Sequence, residues 1–173
     1  MPEVFFVSSP LPVTVPVMVY LILYNIRSVH NVGSIFRTAD AIGATKLFLV
    51  GYTPTPLDRF GRIRKDLAKV ALRSEQSVPW EYHERIEPLL QALKKKKIQL
   101  IAVEQAEGAL DYKKVRPARA TALILGNEVE GIPQNVLNLC DVVAEIRMQG
   151  EKESLNVSVA TGIALFALTR RPG

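Results

Sequence analysis

The sequence predicts a single-domain α/β fold with a mostly parallel sheet flanked by helices. Short apolar, β-rich runs alternate along the chain with segments of helical periodicity, which is typical of a parallel sheet. A chain of 173 residues fits one domain and can bury a core, and neither an internal repeat nor a linker divides it. Its 48% apolar and 23% charged residues exclude a disordered protein.

The first half of the chain contains two predicted strands around a helix. Residues 17–24 form a continuous apolar run, which is typical of a strand covered on both faces. Apolar residues then recur at helical spacing between residues 32 and 42, and Gly43 supplies a stop. Residues 46–50 predict a second short strand, and prolines mark a loop over residues 51–60.

The remaining elements continue the alternation. A short basic helix is predicted over residues 62–72, a strand over 78–82 and a lysine-ended helix over 86–96. Further strands are predicted over residues 99–103, 120–125 and 142–146, with a last helix over 157–170.

The N-terminus is predicted to be a loose extension over residues 1–16, followed by the domain over residues 17–173. The apolar run at residues 13–23 is too short to span a membrane, is interrupted by prolines and lacks a basic leader. Met18 stands near the first strand, so residues 1–17 could also result from an upstream start.

The net charge and the cysteine content indicate which partners, metal sites and cell compartment to expect. The net charge of +5 favours an anionic partner such as nucleic acid. The single cysteine, Cys140, excludes an internal disulfide, and with only His30 and His83 a zinc site is not expected. We therefore predict a cytoplasmic protein without a metal and without a membrane partner.

Three motifs stand out. Asn31-Val32-Gly33-Ser34-Ile35-Phe36-Arg37 lies where a strand gives way to a helix, whose free N–H groups attract anions, and Asn31 is expected to precede the helix. Leu125-Gly126-Asn127-Glu128-Val129-Glu130-Gly131 follows a strand, and its glycines permit close approach of a ligand. Residues 150–160 place Ser154 and Asn156 between a polar loop and an apolar helix. Helix capping and tight turns are the alternative explanations.

In this order, the three motifs resemble those of the SpoU/TrmH-type RNA 2'-O-methyltransferases, in the SPOUT superfamily. The resemblance covers residues 17–170 and implies methyl transfer from S-adenosylmethionine to a ribose 2'-hydroxyl of tRNA or rRNA. It also implies a C-terminal trefoil knot, in which the last helix threads through a loop, and a homodimer with cofactor pockets near the interface.

The resemblance assigns roles to individual residues. The implied catalytic residues are Asn31, Arg37, Glu128, Ser154 and Asn156, with Glu130 as the alternative glutamate. The implied cofactor-binding residues are Val103, Glu104, Gly126, Ile146, Met148, Ser154 and Leu155. The sequence departs from the family pattern at Arg147, where relatives commonly have proline, and at Gly131-Ile132-Pro133, where Pro133 suits a first helical turn.

Arg37 has two candidate roles. The family's arginine is often described as the base that activates the 2'-hydroxyl. Because arginine stays protonated in proteins, we favour a role in which Arg37 holds an RNA phosphate and stabilises the developing alkoxide, while a phosphate or water takes the proton.

Basic residues after the second strand suggest an RNA surface, since open α/β sheets bind ligands beyond the carboxyl ends of their strands. Such contacts would give affinity without sequence specificity. The residues predicted to contact RNA are Arg37, Arg59, Arg62, Arg64 and Lys65. The lysines at residues 94–97 are interpreted as a solvated helix end.

Other functions are less well supported. The chain has neither the G-x-G-x-x-G motif nor the P-loop motif, and pairing Ser34 or Ser154 with His30 for hydrolysis requires geometry that sequence cannot supply. A non-catalytic RNA-binding or cofactor-binding protein of the same fold is the main alternative. A SPOUT enzyme that methylates a base is the third, although the motifs around Arg37 and Asn156 favour ribose.

Overall fold

The computed structural model describes residues 17–169. The predicted extension over residues 1–16 and the predicted helix end at Arg170 lie outside these residues. In the described part of the chain, seven strands form one parallel sheet with helices on both faces. The prediction of an α/β domain with a parallel sheet is confirmed.

The elements alternate along the chain as expected. The strands are β1 (Met18–Tyr24), β2 (Lys46–Val50), β3 (Trp80–His83), β4 (Gln99–Val103), β5 (Leu110–Asp111), β6 (Ala120–Leu125) and β7 (Val142–Glu145). The helices are α1 (Val29–Ile42), α2 (Lys65–Ala71), α3 (Ser74–Ser77), α4 (Ile86–Lys95), α5 (Gln134–Leu137) and α6 (Val157–Thr169), with a 3-10 turn at Tyr112–Lys114.

The strand order is β3-β2-β1-β6-β4-β7-β5, and every neighbouring pair is parallel. The carboxyl ends of the strands therefore meet at one edge of the sheet. The loops that leave β1, β2, β4, β6 and β7 all begin there, and they carry the motifs identified in the sequence. Open parallel sheets bind their ligands at this edge.

Two apolar cores cover the sheet. Side chains alternate along β1, so Leu21 and Leu23 join the core beneath α1, α2 and α6, whereas Ile22 joins the core beneath α4 and α5. All three side chains are fully buried. This two-sided burial explains why β1 is a continuous apolar run, as predicted.

α1 packs closely against α2 at Gly33. A Cβ atom at this position would lie 2.8 Å from the Cβ atom of Val70. Gly33 is therefore required for helix packing, in addition to its place in the first motif.

Several boundaries differ from the prediction. The predicted helix over residues 62–72 is shorter, because residues 62–64 belong to a preceding loop and Leu72 and Arg73 adopt left-handed backbone angles, with φ of 51° and 75°. The chain then forms the short helix α3, which the sequence did not predict, and β3 begins at Trp80 instead of residue 78. The short elements β5 and α5 were also missed.

Candidate active site

A cleft of about 370 Å³ lies at the carboxyl edge of the sheet, between the loops that follow β4, β6 and β7. Its volume is within the range of roughly 300–1,000 Å³ typical of small-molecule sites. All seven residues predicted to bind the cofactor line this cleft: Val103, Glu104, Gly126, Ile146, Met148, Ser154 and Leu155. Residues from three separate loops thus meet in one cleft, as a single binding site requires.

The floor of the cleft depends on two glycines. A Cβ atom on Gly126 would lie 2.5 Å from Ile132 Cγ1 and 2.6 Å from the carbonyl carbon of Gly131. Gly131 has a φ of 67°, which glycine adopts without strain. Glu104 fixes the same turn, because its Oε2 accepts a hydrogen bond from Ile132 N at 2.9 Å.

A chain of hydrogen bonds connects the three motifs. The Asn31 amide nitrogen Nδ2 donates to Glu128 Oε1 at 3.0 Å, and Asn31 Oδ1 accepts from Asn156 Nδ2 at 3.0 Å. Asn156 Oδ1 in turn accepts from Ser158 N at 2.8 Å at the start of α6. Three of the predicted catalytic residues are thereby brought into direct contact.

Glu128 also holds the backbone before α1. Its carboxylate accepts from Arg27 N at 3.0 Å and from Ser28 N at 3.2 Å. Burial raises the pKa of Glu128, but the hydrogen bonds from Arg27 N, from the Asn31 amide and from Ser28 N outweigh this effect, so the pKa lies below its ordinary value. The ionised carboxylate is the form that this site stabilises.

The expectation that Asn31 precedes the helix is wrong. α1 begins at Val29 and its cap is Ser28, whose side chain accepts from Asn31 N at 3.2 Å. Asn31 therefore lies inside the first turn and is 7% exposed. By contrast, Asn156 does cap a helix, so the capping explanation holds for it together with its contact to Asn31.

Ser154 and Arg37 stand apart from the hydrogen-bonded chain. Ser154 lines the cleft, and its hydroxyl has no hydrogen-bond partner within residues 17–169. Arg37 is exposed on α1 and does not line the cleft. Its guanidinium makes no hydrogen bond or ion pair with any residue that the structure describes.

Of the basic residues predicted to contact RNA, Arg37 lies on α1, and the other four lie in the loop after β2 and at the start of α2. Arg62 pairs with Asp58 at 2.8 Å and Arg64 with Asp66 at 2.9 Å. Arg59 and Lys65 have no acidic partner in the described range. The cluster thus keeps part of its positive charge available to an anion. In the lysine run at residues 94–97, Lys94 pairs with Asp141 at 3.4 Å.

Sequence reasoning missed two residues beside the cleft. Asn127 is buried, and its Nδ2 donates to Asn25 O at 3.0 Å and to the Tyr52 hydroxyl at 2.6 Å, while its Oδ1 accepts from Val129 N and Glu130 N. The position of Asn127 within the second motif was the available signal. Tyr52 carried none, because only the folded sheet brings it beside β6.

Within residues 17–169, no group of three or more His, Cys, Asp or Glu side chains is arranged to hold a metal ion. No helix in this range is long and apolar enough to cross a membrane.

The sequence of the chain is similar to those of known RNA methyltransferases. The sequence model of the SpoU rRNA Methylase family matches residues 18–166. The chain is 32% identical over 147 residues to a tRNA (guanosine(18)-2'-O)-methyltransferase of Escherichia coli K12, covering 85% of this chain and 61% of that protein. It is also 32% identical over 151 residues to the 23S rRNA (guanosine-2'-O-)-methyltransferase RlmB of Ralstonia nicotianae, covering 87% and 58%.

The fold is also similar to that of a solved structure. The AdoMet-bound rRNA methyltransferase from Sinorhizobium meliloti superimposes with a TM-score of 0.78 at 29% identity, covering 87% of this chain and 55% of that one. The chain thus spans about three-fifths of the length of the two sequence relatives, at 61% and 58%.

Proposed function

The chain belongs to the SpoU rRNA Methylase family, and on this premise we propose that it transfers a methyl group from S-adenosylmethionine to a ribose 2'-hydroxyl of tRNA or rRNA. The observation that carries the proposal is the hydrogen-bonded chain from Glu128 through Asn31 to Asn156, beside a cleft lined by every residue predicted to bind the cofactor. One relative is named for tRNA and another for 23S rRNA, so both remain substrates to test.

The residues of the cleft suit S-adenosylmethionine. Ile146, Met148 and Leu155 provide apolar contact for a nucleobase. Glu130 and Glu153 also line the cleft, and their carboxylates have no ion-pair partner within residues 17–169. Unpaired carboxylates complement the positive charges of the sulfonium and the amino group.

When bound, the cofactor supplies a methyl group that is already activated on a sulfonium. The chain's own task is to position the ribose oxygen and to stabilise negative charge on it. Glu128 orients the Asn31 amide, and Asn31 orients Asn156 at the start of α6. Ser154, which lines the cleft, offers its hydroxyl to the ribose.

Arg37 acts on the RNA in this proposal and not on the cofactor. Its exposed guanidinium holds a phosphate beside the reacting nucleotide and stabilises charge on the attacking oxygen. The proton leaves to a phosphate oxygen or to water, because a guanidinium is not a base at neutral pH.

A homodimer through α1 and α6 is part of the proposal. On α6, the side chains of Val159 and Phe166 are 49% and 48% exposed. Leu155, which lines the cleft just before α6, is 38% exposed. Arg37 belongs to the exposed stripe of α1, which packs beside α6. A second copy covering these apolar side chains would bury this face of α6 and place Arg37 on the neighbouring α1 near the interface.

The proposal extends to the finer features of the fold. We assign residues 17–173 to one methyltransferase domain, with residues 1–16 as an extension, and we place a trefoil knot at the C-terminus. The knot follows from the family resemblance, and the loops after β4 and β7 are in contact, since Gln105 Nε2 donates to Glu153 O at 2.7 Å. A cytoplasmic location agrees with the single cysteine.

The test is methyl transfer from isotopically labelled S-adenosylmethionine into separated tRNA and rRNA, each from cells that lack the gene. Label recovered as a 2'-O-methylnucleoside supports the proposal and identifies the RNA class. Label recovered on a base contradicts the ribose assignment. Cofactor binding by calorimetry without transfer to either pool supports a non-catalytic protein.

A further inference from the structure

A structured hairpin over residues 56–64 presents Phe60 at its tip. Asp58 organises the turn, because its Oδ1 accepts from Phe60 N at 2.8 Å and from Arg62 N at 2.9 Å. Gly61 has a φ of 75°, which allows the tight reversal. The hairpin therefore holds Phe60 in one place although the ring does not contribute to a core.

Two guanidinium groups lie close to the ring of Phe60. The ring is 66% exposed, and the Cζ atoms of Arg59 and Arg62 lie 4.7 and 4.9 Å from its centroid. Asp58 neutralises Arg62, whereas Arg59 has no acidic partner in the described part of the chain. An exposed aromatic ring flanked by cations matches the surfaces on which nucleobases stack and phosphates bind.

The hairpin forms one wall of a broad groove. The groove has a volume of about 820 Å³ and is lined by Phe60, Tyr52, Trp80 and Tyr82, with Arg59 and Arg62 at its edge. Tyr52 is 55% exposed and Tyr82 is 49% exposed. The aromatic side chains that line the groove suit the faces of unpaired bases.

The groove lies near the candidate active site. Tyr52 also lines a recess with Arg27, Asn127, Val129 and Glu130, and the last three of these residues line the cofactor cleft as well. The hydrogen bond from Asn127 Nδ2 fixes the Tyr52 hydroxyl at 2.6 Å. The groove and the cleft are therefore neighbours, with this recess between them.

We propose that this groove binds unpaired bases of the substrate RNA next to the methylated nucleotide, with a base stacked on Phe60. The proposal rests on the proposed function and specifies its substrate as an unpaired segment, such as a loop. Bases inside a duplex are stacked on each other and cannot present their faces to the groove. Stacking tolerates every base, so the groove selects single-stranded RNA and not a sequence.

The test compares Phe60→Ala with two matched variants, using fluorescence anisotropy of labelled oligoadenylate, alone and annealed to oligouridylate. Phe60→Tyr keeps an aromatic ring. Ile63→Ala removes an equally exposed side chain, at 63%, from the same hairpin but outside the groove. We expect Phe60→Ala to weaken single-strand binding roughly tenfold, the scale of one lost base stack, whereas the other two variants stay within about twofold of wild type.

Duplex binding should be weaker than single-strand binding and should not respond to Phe60→Ala. Equal losses for Phe60→Ala and Ile63→Ala would overturn the inference, and so would a duplex that binds as tightly as the single strand. Sedimentation with anionic lipid vesicles that depends on Phe60, without an effect on RNA, would assign the hairpin to a membrane surface instead.

Methyl transfer by the wild-type protein separates the two proposals. If the wild type methylates RNA while Phe60→Ala binds oligoadenylate normally, only the groove assignment fails. If the wild type transfers no methyl group to any RNA, the proposed function fails, whatever the hairpin binds.

Discussion

The side-chain amides of Asn31 and Asn156 are directly hydrogen-bonded, with Asn156 Nδ2 donating to Asn31 Oδ1 at 3.0 Å. The direction of this bond is set by Glu128, because an ionised carboxylate only accepts and must face the Asn31 nitrogen. The side-chain oxygen of Asn31 therefore faces Asn156. One negative charge after β6 therefore orients a polar group at the start of α6.

Glu128→Gln should reduce stability in a pH-dependent way. The variant loses the charge that three donors share, so we expect a lower free energy of unfolding near neutral pH. Because the pKa of Glu128 is lowered in the folded state, this stabilisation is present above the unfolded pKa of about 4.3 and is lost as the pH falls through that value and then the folded one.

Urea unfolding of the wild type and of Glu128→Gln, at about pH 7 and about pH 3, would measure the effect. The difference between the two proteins should shrink at the lower pH. A difference that does not change with pH would show that the charge of Glu128 contributes nothing.

Asn156 combines two roles that substitutions can separate. Its oxygen caps α6 and its nitrogen reaches Asn31. Asn156→Ser keeps a capping oxygen, whereas Asn156→Ala removes both groups, so Ala should be less stable than Ser by about 1 kcal/mol. Methyl transfer should fall equally in both variants. Retained activity in Asn156→Ser would mean that only the cap matters.

Local apolar patterns predicted much of the fold. The bounds of β2, β4 and β6 match the prediction, because each is a short and largely buried apolar run. Seven predicted cofactor residues line one cleft because their motifs follow strands whose carboxyl ends share an edge. The parallel pairing of the strands thus brings separate motifs together around one cleft.

Long-range contacts determined what the sequence did not show. α1 starts at Val29 because Ser28 caps it, and Glu128, about 100 residues away in sequence, accepts from the preceding N–H groups. The shortening of α2 follows from the hairpin at residues 56–64, where Arg64 N donates to Pro56 O at 2.9 Å. Composition alone predicted a basic helix there and gave no sign of the exposed Phe60.

Gly126→Ala should block cofactor binding. The added methyl group would overlap Ile132 and the backbone of Gly131, so the floor of the cleft must shift, at a cost of about 1–3 kcal/mol in stability. Gly150→Ala is the matched control, since a Cβ atom there meets nothing within 4 Å. Calorimetry with S-adenosylmethionine should show loss of binding for Gly126→Ala only. Normal binding by Gly126→Ala would remove this turn from the site.

Phe166→Glu should yield a monomer if α6 forms the proposed interface. A charge on this apolar face is well solvated in the monomer but is desolvated against a second copy. Leu110→Glu changes a side chain of similar exposure, 49% against 48%, on a different element. Sedimentation should give a smaller species for Phe166→Glu alone. An unchanged dimer would place the interface elsewhere.

Arg37→Ala should leave cofactor affinity nearly intact, because Arg37 does not line the cleft. Turnover should fall by about 10²- to 10³-fold, as when one group that stabilises an oxyanion is lost.

If Arg37 serves the partner subunit's cleft, mixing Arg37→Ala with Asn156→Ala should restore activity. In a mixed dimer, one cleft retains Asn156 and receives Arg37 from the other subunit. Random exchange of equal amounts should recover about a quarter of wild-type activity. Each variant alone is the control, and mixed dimers without activity would show that Arg37 acts within its own protomer.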